Sequence, residues 1–278
     1  MRKEIREVDH ERGILQTTLC DERWYSRLIS VDGTATNKRW QFVPSTSWVA
    51  SYFPKDVRFF KYLASKGWSE AEEYKSMRGT QGSKVHQAIK SLIEGHEVKM
   101  SDSFTNPDTL KDEELDNEEW LCIMSFVDWF KSEQPEIEII RSEYVVWNDK
   151  YNYAGTVDLK CRLGKRKLRN WEGKSVTRRA GLWIIDFKIS PEIWPSYEIQ
   201  LSGYKHADSN TEPVNLAILQ LGYKKNKHKK WKFTPIKDQF NLFLAVRKIW
   251  ARETAGIQPL QRDYPLSLSL GIAKAANG

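Results

Sequence analysis

Cysteine is scarce in this chain. Its 278 residues hold three, Cys20, Cys122 and Cys161. No pair is spaced C-x-x-C, so the usual ligand pattern of a structural zinc site is missing. An odd, widely spaced set with no signal-peptide pattern points to a reducing, cytoplasmic setting rather than a disulfide framework. Long apolar runs are missing too, since none approaches the ~18 residues a membrane helix needs. No G-x-x-x-x-G-K-S/T loop occurs, which excludes an ATP motor and a nucleotide cofactor bound that way. Helix-turn-helix and zinc-finger patterns for reading a DNA sequence are lacking. There is no internal repeat and no low-complexity linker.

What is present suits a packed protein with a polyanionic partner. Apolar residues make up 40%, including twelve tryptophans, which rules against disorder. Net charge is +7 with pI near 9.1. That fits nucleic acid or a merely soluble basic protein, because net charge is not a site. The length allows one large domain, or one domain with an appendage.

The chemistry concentrates between Tyr153 and Tyr204. Tyr153–Lys160 reads Tyr-Ala-Gly-Thr-Val-Asp-Leu-Lys, and Leu182–Lys188 reads Leu-Trp-Ile-Ile-Asp-Phe-Lys. Each apolar run carries a carboxylate near its end, Asp158 and Asp186. On a strand, residues i and i+2 share a face, so Asp186 and Lys188 project together. Two carboxylates can hold a hard divalent cation through oxygen. A lysine beside that cation can orient or deprotonate a water, its pKa lowered by the dication. Gln200 and Tyr204 lie one helical turn apart and share a face. Both can line a site, or Tyr204 can simply pack.

This ordered set resembles the PD-(D/E)XK nuclease superfamily, in its RecB-like exonuclease branch. Asp158 matches the first acid, in a G-x-x-D form that starts at Gly155. Asp186, Phe187 and Lys188 match the D/E-x-K element, and Gln200 to Tyr204 matches Q-x-x-x-Y. His86, in Gly82-Ser83-Lys84-Val85-His86, lies where the branch keeps a metal-binding histidine. Glu143 lies where it often keeps an acid. One departure is plain: Val157 stands where the superfamily name has proline. The likeness covers roughly Gly79 to Tyr223. It implies that His86, Asp158, Asp186 and the Phe187 carbonyl bind Mg2+ or Mn2+. It implies that Lys188 positions the attacking water and that Glu143 supports His86 or a metal-bound water. It also places Gln200 on a substrate phosphate or a metal water, with Tyr204 stacking or hydrogen-bonding beside it. Some members hold an iron–sulfur cluster on four cysteines; three cysteines exclude that here.

Around this stretch the chain reads as an α/β fold. The expectation is a restriction-endonuclease-like core over residues 79–256, with a mixed central sheet of about four strands flanked by helices. A mainly helical N-terminal extension is expected over 1–78, entered by a hairpin of Trp24–Val31 and Trp40–Val43 around Asp32-Gly33. The tail, 257–278, is expected to be peripheral. Met1–Arg12 is charged and reads as frayed. Helices are expected over Lys55–Lys66, Ser69–Met77 and Gly82–Glu94, the second with a Ser69/Glu72 capping box. Lys99–Lys111 reads as loop. A helix follows the Asp116/Glu119 capping box, burying Trp120, Ile123, Met124, Val127 and Phe130. Strands follow at Glu136–Trp147, Ala154–Leu163, Gly181–Phe187 and Asn215–Tyr223, the third buried on both faces. A helix spans part of Pro191–His206, and another Thr234–Ala255.

Candidate DNA contacts lie in basic segments. Gly164–Arg179 carries Lys165, Arg166, Lys167, Arg178 and Arg179, and residues 224–230 carry Lys229 and Lys230. Each is a solvated loop or a phosphate-neutralising one. Ser45 and Thr46 read as a helix cap; the resemblance adds a place near the DNA backbone. Trp48, Trp183 and Trp194 are candidates for base stacking, against a plain core role.

The expected function is metal-dependent exonucleolytic hydrolysis of DNA, with single-stranded or duplex ends as substrate and Mg2+ or Mn2+ as cofactor. The resemblance adds recombination, repair or phage DNA processing as the setting, with a separate recombinase or helicase as partner and no membrane. If the chain is viral, the compartment is the host cytoplasm. Two alternatives stay open: a sequence- or structure-specific DNA endonuclease, and a nucleic-acid-binding module with a decayed site.

Overall fold

A computed structural model of the chain describes residues 3–19, 22–31, 33, 37–134, 137–169, 175–209, 212–222 and 230–257. Expectations placed on Cys20, Asp32, Glu136, Tyr223, Lys229 and the tail after Gln258 lie outside the described residues.

The N-terminal region is mostly strand. β1 (Lys3–Asp9), β2 (Ile14–Leu19), β3 (Glu22–Ser30) and β4 (Lys38–Pro44) form an antiparallel sheet in that order. This corrects the expected helical extension and the frayed start. The misreading has a physical cause, because this sheet is covered on both sides. Tyr25 packs with Ile14, Val43, Val145 and Trp147, while Trp24 packs with Trp48 and Trp250. Covering both faces removes the apolar/polar alternation that marks a half-buried strand. The charges of β1 sit on an edge strand, where they discourage further pairing. The hairpin read at Trp24–Val31 and Trp40–Val43 is present as β3 and β4, with Leu28 opposite Trp40.

Helices begin with α1 (Thr46–Ser51), capped by the Ser45 side chain, then α2 (Val57–Lys66) and α3 (Trp68–Ile93). α3 is one helix of 26 residues where two were expected. It starts after Gly67, so Ser69 lies inside it and makes no capping box. The expected domain boundary between 78 and 79 falls within it. β5 (Ser103–Thr105) and β6 (Asp112–Glu114) pair as a small hairpin inside the stretch read as polar loop. α4 (Asn117–Glu133) has the expected Asp116/Glu119 capping box. Its buried face is Cys122, Ile123, Phe126 and Trp129, while Met124 is exposed. Apolar residues surround this helix, so two phases fit its period equally well.

The central sheet holds five strands: β7 (Ile137–Asn148), β8 (Tyr153–Leu163), β11 (Gly181–Lys188), β12 (Val214–Leu221) and β13 (Trp231–Ile236). Their order is β13-β12-β11-β8-β7. The β11–β12 pair is parallel and the rest are antiparallel. β9 (Arg166–Arg169) and β10 (Ser175–Arg178) form a separate hairpin between β8 and β11. α5 (Pro195–Ala207), with Pro195 in its first turn, connects β11 to β12. α6 (Phe240–Glu253) follows β13 and starts later than expected, because Thr234–Ile236 belong to the sheet. Pro235 is tolerated there since β13 is an edge.

β11 is central and buried on both faces, as its apolar run implies. Trp183, Ile185 and Phe187 pack towards α3 and α4. Leu182 and Ile184 pack towards α5. Each such side chain contributes about 1.5–3 kcal/mol when fully buried. Among the described residues, no helix is long and apolar enough to cross a membrane.

Candidate metal centre

The polar site begins where β11 outruns its neighbour. The β8–β11 pairing runs from Gly181 opposite Leu163 to Ile185 opposite Leu159. Beyond that point side chains take over the backbone's hydrogen bonds. Asp158 Oδ2 accepts from the Phe187 N–H at 2.7 Å. His86 Nε2 lies 3.3 Å from the Phe187 carbonyl. Arg78 donates to the Ile189 carbonyl at 2.7 Å, and Gln220 to the Ser190 carbonyl at 3.0 Å. The end of β11 is therefore held by three other elements, α3, β8 and β12.

His86 is delivered by α3, whose Val85, Ala88 and Ile89 are buried against the sheet. Its Nδ1 lies 3.4 Å from Asp158 Oδ1 and 3.6 Å from Glu143 Oε1. Donor atoms of His86, Glu143 and Asp158 all lie within 4.8 Å of one another. Glu143 holds φ at +46° within β7. A non-glycine residue in the left-handed region stores strain of order 1–3 kcal/mol, which persists where the surroundings demand it. Here that backbone aims a carboxylate at His86.

The second half of the site faces α5. Asp186 is 2% exposed and pairs with Lys188 Nζ at 2.6 Å. Gln200 donates to Asp186 Oδ1 at 3.3 Å and to the Tyr204 hydroxyl at 2.7 Å. Lys188 Nζ also sits 4.8 Å from the centre of the Tyr197 ring. Gly155 is required by this packing. A Cβ there would fall 2.4 Å from Tyr204 Cε1 and 2.9 Å from the Thr46 hydroxyl. The glycine of the G-x-x-D stretch thus makes room for the tyrosine of Q-x-x-x-Y.

Burial and mutual charge set the protonation of the group. Burial alone would lower the pKa of His86, but Asp158 and Glu143 outweigh it and hold the imidazole well above its ordinary range. Burial would raise Asp158; His86 and Lys188 hold it below the ordinary carboxylate value. Burial pushes Asp186 up to about 6, with Lys188 pulling the other way and Asp158 adding to the rise. Lys188, which burial would lower, is held up by Asp186 and Asp158. One environment therefore sends two carboxylates in opposite directions.

The other expected contacts divide. Ser45 accepts from Trp48 N at 3.0 Å, and Thr46 donates to the Ala154 carbonyl at 2.8 Å; both are buried. They are structural, and their expected place at a DNA backbone is corrected. Arg178 is corrected too, being buried and ion-paired with Glu133 at the end of α4. Arg166 leans on the same Glu133 at 3.3 Å. Lys165, Lys167, Arg179 and Lys230 are exposed. Trp48 and Trp183 are core residues, and Trp194 is half-buried ahead of α5. Sequence reading missed Arg78 and Tyr197. Tyr197, Gln200 and Tyr204 follow the i, i+3, i+7 spacing of one helix face, which could have revealed the first of them.

Two carboxylates and one imidazole form a donor set that could hold a metal ion. The Phe187 carbonyl lies within reach of the same histidine. Asp186 stands beside this set rather than in it. A scan against protein-family models finds no match, and a search of curated proteins finds no significant match.

Proposed function

We propose that this chain is a metal-dependent deoxyribonuclease with a PD-(D/E)XK-type core, acting from DNA ends. One observation carries the reading: His86, Glu143 and Asp158, distant in sequence, converge beside an Asp186–Lys188 pair at the C-terminal end of the central strand. His86, Glu143 and Asp158 would hold Mg2+ or Mn2+, joined by Asp186 and the Phe187 carbonyl. A bound dication would neutralise charge building on a phosphoryl group and make a bound water more acidic. Lys188 would position the attacking water. Gln200 orients Asp186 through its amide, and Tyr204 keeps Gln200 in place. The mixed sheet with helices on both faces supports the restriction-endonuclease-like comparison. A separate recombinase or helicase would supply DNA ends.

The test is incubation of end-labelled linear DNA and covalently closed circles, single-stranded and duplex, with Mg2+ or Mn2+. Progressive loss of linear forms with circles intact is expected. Rapid cutting of circles would favour an endonuclease. No cleavage in either metal would leave only the DNA-binding reading.

A further inference from the structure

Exposed apolar side chains are concentrated in α2 and the first half of α3. Phe60 is 57% exposed, Trp68 68%, Tyr74 49% and Met77 48%. Residues 55–78 carry six basic side chains against four acidic ones, Asp56, Glu70, Glu72 and Glu73. Apolar side chains this open, spread around α2 and the start of α3, mark a region built for contact. The structure also says where it leads.

α3 is the helix that carries His86. At 100° per residue, Trp68 lies eighteen residues, or five whole turns, before His86. Both point along the same face, roughly 27 Å apart at 1.5 Å per residue. Glu72, Lys75, Gly79 and Gly82 fall within about 40° of that line, Glu72 and Lys75 as an ion pair at 3.3 Å. A Cβ on Gly79 would meet nothing within 4 Å, and on Gly82 only the Ile189 side chain at 3.9 Å. Glycine inside a helix is unfavourable, so internal packing does not account for either residue. Together they leave a bare stretch of this face between the Glu72–Lys75 pair and the metal centre. Arg78 and Ile189 bound it on one side. Ser76 and Thr80, tied to Asp108 at 2.8 Å each, bound it on the other.

We infer that this face of α3 is a docking track for a single nucleic-acid strand running from the metal centre to Trp68. This rests on the nuclease reading above, since that reading puts a phosphodiester at His86. A bare backbone floor admits a polymer. Trp68 offers a ring face to its bases, and its phosphates would draw Lys75 and Arg78 from the carboxylates they pair with, Glu72 at 3.3 Å and Glu118 at 3.0 Å. Aromatic platforms beside basic side chains are the general means of holding a single strand without reading its sequence.

The test uses the full chain in EDTA, so that binding is measured apart from cleavage. The probes are fluorescein-labelled oligothymidines of about 6 and about 20 nucleotides, bracketing common single-strand site sizes. The longer one is expected to bind tighter. Trp68→Ala should weaken the longer probe about 5- to 150-fold, the worth of one base stack, and leave the shorter one unchanged. Gly79→Leu, on an open face, should raise the melting temperature yet also weaken the longer probe. A purely structural role for Gly79 would not move these two readouts in opposite directions. If both variants bind the longer probe like the parent, the track is wrong, even with cleavage intact. If Trp68→Ala breaks up a dimer and leaves oligonucleotide affinity alone, the face belongs to a second copy and the inference fails. Conversely, absent cleavage with these losses observed would sink the nuclease reading and leave the track standing.

Discussion

Replacing Asp186 by asparagine should make the metal-free protein more stable, not less. The carboxyl is 2% exposed, and its pKa moves from 3.8 to about 6 in the folded state. The folded chain therefore holds this proton more tightly than the unfolded chain does. The stability it contributes is fully present below about pH 4 and is lost as pH rises through about 6. Two units at about 1.4 kcal/mol each set a ceiling of about 3 kcal/mol. The value already includes the attraction of Lys188, so the lost ion pair is not a further cost. Asp158 shares the same cations, so a gain of about 1–3 kcal/mol is expected. Asparagine has the same shape and no charge to bury. Thermal melts in EDTA from about pH 4 to about pH 8 should show variant and parent coinciding at the acid end and separating by several degrees at the alkaline end. Adding Mg2+ should reverse the order, since a ligand at 100 times its dissociation constant stabilises by about 2.7 kcal/mol and the variant binds it less well. Cleavage should be lost. A variant less stable than the parent in EDTA at about pH 8, or a difference independent of pH, would refute the reasoning.

The remaining predictions use the same neighbourhood and its supports. Divalent-metal affinity should fall in two stages as pH drops, first as His86 takes up a proton above the ordinary imidazole range and again as Asp186 does so near about 6, since the ion must displace both protons; titration calorimetry in buffers of different ionisation enthalpy should read proton release, and none would count against the site. Glu133→Ala should cost about 3–5 kcal/mol in urea unfolding by leaving Arg178 buried without its carboxylate, and adding Arg178→Met should restore most of it. Gly155→Ala should cost about 1–3 kcal/mol, since a methyl 2.4 Å from Tyr204 must displace the ring. Tyr204→Ala in that background should recover only part, because the Thr46 hydroxyl still stands 2.9 Å away.

Much of the centre was legible because its residues sit on elements with strong local signals. The continuous apolar run of β11 and the acid at the end of each strand placed Asp158 and Asp186. The stripe of Val85, Ala88 and Ile89 placed His86 on a helix facing the sheet. Other parts were hidden for identifiable reasons. The N-terminal sheet loses its alternation because Tyr25 and Trp24 are both buried, on opposite faces. α3 runs through Gly79 and Gly82, which read as a break between two helices. β13 carries Pro235, normally a mark against a strand, and escapes as an edge. Arg178 lies in a basic run that looks solvated, and only the fold shows that Glu133 arrives beneath it. Glu143 was expected to support the histidine. Its position within the donor set follows from a backbone angle that no spacing rule reveals.

The tethering of the end of β11 also bears on how the protein reaches its native state. The groups that hold Phe187 and Ile189 come from 29, 101 and 111 residues away along the chain. Closing loops of that length is slow, and their contacts reward the chain only after the loops have closed. The β7–β8 hairpin can zip locally, whereas the donor set must wait for α3 to dock. Refolding watched by two probes should therefore separate: far-ultraviolet signal from the sheet returning first, metal-binding capacity last. The centre becomes competent only in a chain whose distant segments have already met.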